Sequence, residues 1–328
     1  MAEIVLAMAL PHGPMLGTTP AEWTRDGDRD RSNIREMWYR KRLWTFPEVA
    51  RERAGENFLA RCTMEEWTAR HGRCQAAIAR MQQAFEDCRA DVAVILGKDQ
   101  QEIFVDFSPS LAIYSGKEIY NGPPGRPVYA PDRWMVHDGH PELALHLLKT
   151  LQAQHFDMMD LYKWPPNTWL QNSQVVPHAY GFVMHRIMKD NPPPCVPVLM
   201  NAFYRPTQPP IRRCIEFGHA LTAAIRSWDT SLRVAVVASG GLTHFVCDEQ
   251  QDREFIELLG NGDLDGLARI DERIYQSGTS EMKLYVPVLI AAQQMGAPMT
   301  LVDYVPLYRT EAGTGEGMGF FYWAPGSH

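Results

Sequence analysis

Imidazole, amide and carboxylate side chains follow apolar runs at several places in this 328-residue sequence. His12 comes straight after "EIVLAMAL", Asp99, Gln100 and Glu102 come after "VAVILG", and His244 comes after "VAVVASGGLT". His178 in "SQVVPHAYGF" follows a short extended piece, and Glu281 in "SGTSEMKL" stands at a predicted helix start. Imidazole and carboxylate together favour a divalent first-row metal such as iron, manganese or zinc over calcium or magnesium. Each histidine taken alone also reads as a cap, a turn hydrogen bond or a satisfied rim residue, so the metal reading rests on their common position after strands. The paired glycines of "ASGGLTHF" allow the close backbone approach that a ligand-facing turn needs. The phosphate-loop pattern and the dinucleotide fingerprint are both missing, which argues against nucleotide binding.

Those side chains need a frame. The runs "EIVLAMAL", "DVAVILG", "PSLAIYSG", "VPVLMNAF", "RVAVVASGG" and "MTLVDYV" are bounded by turn residues, and most are separated by segments with helical spacing. The alternation predicts one α/β domain over 1–328, with a mostly parallel central sheet flanked by helices. Amphipathic helices are predicted over 65–89, 141–154 and 211–227. "GHPE" opens the second of these with proline in its first turn, so His137 and His140 read as a cap and a loop contact. In an open α/β sheet, reactive groups collect at the carboxyl ends of the strands, which is where His12, Gln100 and His244 fall.

Residues 18–58 interrupt the step from the first strand to its helix. They are charged and aromatic with no clear period, and they predict an inserted lid-like segment. Proline flanks His12 on both sides, at Pro11 and Pro14, which stops the loop from continuing as strand or helix.

A net charge of -7 argues against a polyanion partner, since nucleic-acid binders usually carry a basic stripe. The six cysteines form no CxxC pair, which suits a reducing compartment. With no signal-peptide pattern and no run of about 18 apolar residues, the expectation is a cytoplasmic protein that does not engage a membrane.

In chain order, "PHGPMLG", "VAVILGKDQQEIF", "GHPELALHLL" with "HFDMMDL", "VVPHAYGF", "ASGGLTHF" and "SGTSE" resemble the class III extradiol ring-cleavage dioxygenases. The nearest type is the catalytic β-subunit of protocatechuate 4,5-dioxygenase, in its 3-O-methylgallate and gallate dioxygenase branch. The resemblance implies a non-haem Fe(II), or another divalent metal, held by two histidines and a glutamate, with open positions for a catecholate and for dioxygen. His12 fits the first histidine ligand. Glu281 looks like the glutamate ligand, with Lys283 competing for that position in the alignment. His178 and His244 are similar to the family's two second-sphere histidines, which imply acid–base work and substrate holding.

One position departs from the family. Its Asn-Asp-His after the second strand is replaced here by Lys98, Asp99 and Gln100. Gln100 occupies the ligand position, and Glu102 is the alternative. A glutamine oxygen is a weaker donor to Fe(II) than imidazole, so the departure bears on both metal affinity and oxygen chemistry.

The expected substrate is a small catecholic hydroxybenzoate of the gallate or 3-O-methylgallate type, with dioxygen as co-substrate. Within the insertion, Arg29, Arg31 and Trp38 are the candidates to hold it, arginine because it pairs with a carboxylate in bidentate fashion. A homodimer would be compatible with the chain. Two other functions stay open at this point: a metal-dependent hydrolase or lyase on the same fold, and a metal-free binding protein that kept the pocket.

Overall fold

The computed structural model describes residues 1–32, 37–126 and 128–325. The strands of its main sheet are β1 (Glu3–Leu10), β2 (Val92–Gly97), β3 (Leu111–Tyr114), β4 (Met159–Leu161), β5 (Cys195–Met200), β6 (Arg233–Ser239), β7 (Met299–Tyr308) and β8 (Gly315–Trp323). Their order across the sheet is β7-β8-β1-β6-β2-β5-β3-β4. The central run β1, β6, β2 and β5 is parallel, β3 and β4 pair parallel to each other, and the β7–β8 hairpin adds an antiparallel edge beside β1. The mainly parallel α/β sheet expected from the sequence is therefore present.

Central parallel strands are covered on both faces, which is why they read as unbroken apolar runs. Side chains alternate between two cores. On β2, Val92, Val94 and Leu96 face one core, and Ala93 and Ile95 the other. Helices Pro141–Ala153, Ile211–Ser227 and Tyr285–Met295 close the first face, and helix Met64–Cys88 closes the second through Trp67, Cys74, Ile78, Met81 and Phe85. His140 caps Pro141–Ala153, its Nδ1 accepting from Leu143 N at 3.3 Å.

The 18–58 segment contains two short helices, Trp23–Arg31 and Phe46–Glu52, with a hairpin of Met37–Tyr39 and Arg42–Trp44 between them. Its residues 33–36 lie outside the described ones. Trp23 is fully buried against the second core, and Tyr39, Phe46 and Val49 form a small core of their own with Val246 and Ala312. Among the described residues, no helix is long and apolar enough to cross a membrane.

Candidate active site

Three neighbouring parallel strands deliver the chemistry. β1 ends into His12, β2 into Lys98, Asp99 and Gln100, and β6 into the Gly240–His244 turn, so all three loops leave the same edge of the sheet. Glu281 joins them from a 3-10 segment, Ser277–Leu284, that leads into helix Tyr285–Met295. The cavity they share is about 350 Å³ and is lined by His12, Gln100, His178, His244, Glu281 and Glu316 with Tyr129, Trp169, Phe245 and Arg309. A larger cleft of about 640 Å³, lined by Tyr114, Trp134, Tyr162 and Lys163 among others, carries no histidine.

Each imidazole is held through its Nδ1. His12 Nδ1 lies 3.0 Å from Ser239 Oγ, His244 Nδ1 donates to Leu242 O at 2.8 Å, and His178 Nδ1 makes a very short contact to Glu102 Oε1. A carbonyl and a carboxylate only accept, so His178 and His244 carry their proton on Nδ1. Ser239 Oγ can accept from His12 Nδ1 or donate to it. All three Nε2 atoms then face inward: His178 Nε2 is 3.1 Å from His12 Nε2, His12 Nε2 is 3.8 Å from Glu281 Oε2, and His244 Nε2 is 3.4 Å from Glu281 Oε1.

Glu281 is the carboxylate in the cavity, and Lys283 is not its rival there. Lys283 Nζ is committed to Pro209 O at 2.9 Å and Glu272 Oε2 at 2.8 Å. Glu281 Oε2 accepts from Gly241 N at 2.6 Å, and Lys98 Nζ stands 2.6 Å from Oε1. Burial would raise the Glu281 pKa, but Lys98, His244 and His12 outweigh it and hold it well below the usual carboxylate range. Burial drives His12 well below an ordinary imidazole. For His244 burial works in the same direction, yet the Glu281 and Glu316 carboxylates prevail and raise it.

Glu316 reaches the site past two glycines. A Cβ on Gly13 would fall 1.8 Å from one of its carboxylate oxygens, and a Cβ on Gly241 would fall 2.4 Å from the other. Burial pushes Glu316 up to about 7, with His244 pulling it down. The turn carrying His244 is braced from behind by buried Asp252, which accepts from Thr243 N at 2.8 Å and Tyr304 Oη at 2.7 Å.

Not every residue expected at the site reaches it. Gln100 lines the cavity and is half-buried. Glu102 is fully buried, but its oxygens serve His178 and Asn167. Arg29 extends to the surface beside Asp26, and Arg31 pairs with Glu311 and Asp28. Trp38 lines a separate small hollow with Arg40 and Lys41. The insertion touches the cavity by another route: Asp30 holds the buried guanidinium of Arg309, Nε to Oδ2 at 2.5 Å. Arg309, Glu316, Tyr129 and Trp169 are not singled out by the sequence, and Lys98 enters there only as the residue in place of the family's asparagine. The one legible signal was Lys98, a charged residue closing the apolar run of β2.

Residues 76–315 match the family model of the catalytic LigB subunit of aromatic ring-opening dioxygenase. The chain belongs to this family. The match covers Gln100, Glu102, His178, His244 and Glu281 but begins after His12. A curated gallate dioxygenase from Pseudomonas putida is 31% identical over 133 residues, which is 38% of this chain and 36% of that relative. The aligned stretch thus spans about a third of each.

A LigB-family site implies a metal, and the donors here fit one in kind: neutral imidazole nitrogens pointing inward, each fixed through its other nitrogen, beside one ionised carboxylate. As they stand, no three His, Cys, Asp or Glu side chains among the described residues form a ready metal cage. The Lys98 amine against Glu281 is what the carboxylate must exchange for an ion.

Proposed function

We propose that this protein is a non-haem Fe(II)-dependent extradiol dioxygenase that opens the ring of a gallate-type or 3-O-methylgallate-type hydroxybenzoate. The observation that carries the reading is the convergence of three imidazole Nε2 atoms and Glu281 on a cavity walled by aromatic rings, with an arginine on its lining. Family membership and the gallate dioxygenase relative support it.

His12 and Glu281 would hold the metal. When bound, Fe(II) would acidify catechol hydroxyls and supply the redox chemistry with dioxygen. The chain's own groups account for the rest. Tyr129, Trp169 and Phe245 offer faces for a planar ring, and the Arg309 guanidinium, placed by Asp30 through Nε and Nη2, brings a positive charge to the lining for a ring carboxylate. His244, with Nδ1 tied to Leu242 O, is oriented to accept a hydroxyl proton on Nε2, and its raised pKa lets it keep that proton for later return. Glu316, whose pKa burial pushes up to about 7, is the carboxyl on the lining suited to carry a proton toward a substrate oxygen. Overall, one carbon–carbon bond beside the diol breaks and both oxygen atoms enter the product.

Oxygen uptake by anaerobically Fe(II)-loaded protein, offered 3-O-methylgallate, gallate and protocatechuate in turn, tests this. One O2 consumed per ring opened is the expected result. Bound iron with no uptake on any of the three would replace the reading with a metal-dependent hydrolase or lyase. One observation favours a metal-free pocket, the Lys98–Glu281 ion pair. Metal content after loading separates that reading from the first.

A further inference from the structure

We propose that His178 is the second imidazole ligand of the metal in this chain, supplying from another part of the fold the nitrogen that Gln100 does not. The inference rests on the metal reading given above. It assigns His178 a role different from the acid–base one its place in the family motif implies.

The first argument is the spacing of two ring nitrogens. His178 carries its proton on Nδ1, because the atom facing it there is a carboxylate oxygen. Its unprotonated Nε2 faces His12 Nε2 across 3.1 Å, a separation at which the two rings share a single proton or a single cation. Two nitrogens each about 2.1 Å from one ion, at the angles of tetrahedral or octahedral coordination, stand roughly 3.0 to 3.4 Å apart. The observed spacing falls in that interval. It leaves no room for a substrate atom between the two rings, so Nε2 of His178 is badly placed to act as a base on substrate.

The second argument is what stands behind His178. Metal-bound histidines commonly give their other N–H to a carboxylate, which fixes the tautomer and strengthens the donor. Glu102 is fully buried and does this here. It is itself pinned by His178 N at 3.0 Å and by Asn167 Nδ2 at 3.2 Å. The ring is fixed further by an edge contact from Tyr129, with centroids 5.2 Å apart, and by the parallel face of Trp169 at 5.9 Å. Glu102 is thus a positioning residue behind the site.

Anaerobic Co(II) titration, followed by the visible d–d bands, reads ligation without turnover, and pulsed electron resonance of the Cu(II)-loaded protein counts bound imidazoles. The wild type is expected to bind one Co(II) and to show two imidazoles from His12 and His178. His178→Ala should lose at least 100-fold in Co(II) affinity and one imidazole, and Glu102→Gln should lose about 10- to 100-fold. Gln100→Ala should stay within about threefold. His178→Gly with added free imidazole should regain the wild-type bands, which a merely misfolded variant would not. Unchanged Co(II) affinity and imidazole count in His178→Ala, with wild-type protein binding metal, overturns this assignment and leaves the dioxygenase reading standing. A wild type that takes up no Co(II), Mn(II) or Fe(II) overturns both.

Discussion

Lys98 Nζ and Glu281 Oε1 stand 2.6 Å apart, with neither side chain more than 2% exposed. A buried pair broken on one side leaves a charge with no partner, at a typical cost of about 3–5 kcal/mol. Lys98→Met should therefore lower the melting temperature of the metal-free protein while freeing Glu281 for an ion. Co(II) affinity is expected to rise at least tenfold, and saturating metal should restore most of the lost melting temperature. Calorimetric titration and thermal unfolding with and without metal check this. An affinity equal to or below wild type would mean that the lysine does not compete with the ion.

His12 and His244 both face Glu281, yet they should separate in experiment. His12→Ala is expected to lose bound iron, and His244→Ala to retain it and lose at least 100-fold in oxygen uptake, a common magnitude for removal of an acid–base group. Iron content and uptake on the same samples distinguish them. Equal iron loss in both variants would reverse the roles.

Arg309 is the arginine that lines the cavity, held there by Asp30. Arg309→Lys keeps a charge but loses the two-point pairing by which Asp30 places it, so KM for a carboxylated catechol should rise about tenfold or more while kcat changes little. A catechol without a carboxylate should show no such rise. The same rise for both substrates would move the carboxylate contact elsewhere.

Asp252 should set part of the pH dependence of folding. Burial pushes its pKa up to about 7 from 3.8. A carboxyl whose folded pKa is raised favours the folded state fully below its unfolded pKa and loses that advantage as pH rises through the folded value. Stability should thus fall between about pH 4 and pH 7, by on the order of 4 kcal/mol at about 1.4 kcal/mol per unit. Asp252→Asn should flatten that slope when denaturant midpoints are measured across the range. An unchanged slope would assign it to other groups.

The frame was legible because it is carried by local pattern. Unbroken apolar runs mark strands covered on both faces, and Met64–Cys88, Pro141–Ala153 and Ile211–Ser227 fall within a residue or so of the helices expected. The insertion was less legible for a physical reason. Helix Trp23–Arg31 buries Trp23, Asp26, Gly27 and Asp30, a helical stripe that is mostly polar and so invisible to a search for apolar spacing. Glu102 reads in the sequence as the alternative to Gln100 because it stands two residues away. What it serves is His178, 76 positions away, and only the tertiary fold brings them together. Arg309 sits in the turn between β7 and β8, where nothing local distinguishes it from a surface arginine.

Neighbouring strands in a sheet stand about 4.8 Å apart, so the ends of β1, β6 and β2 together span roughly 10 Å. The sheet therefore acts as a ruler, and His12, Lys98 and the Gly240–Gly241 turn are each set by a count of residues from a fixed mark. One residue added between Leu10 and His12 would carry the imidazole off that mark, however conservative the addition. The opposite edge of the sheet bears no such count. Chain length can drift there, and homologues should differ in loop length at the amino ends of these strands far more than at their carboxyl ends.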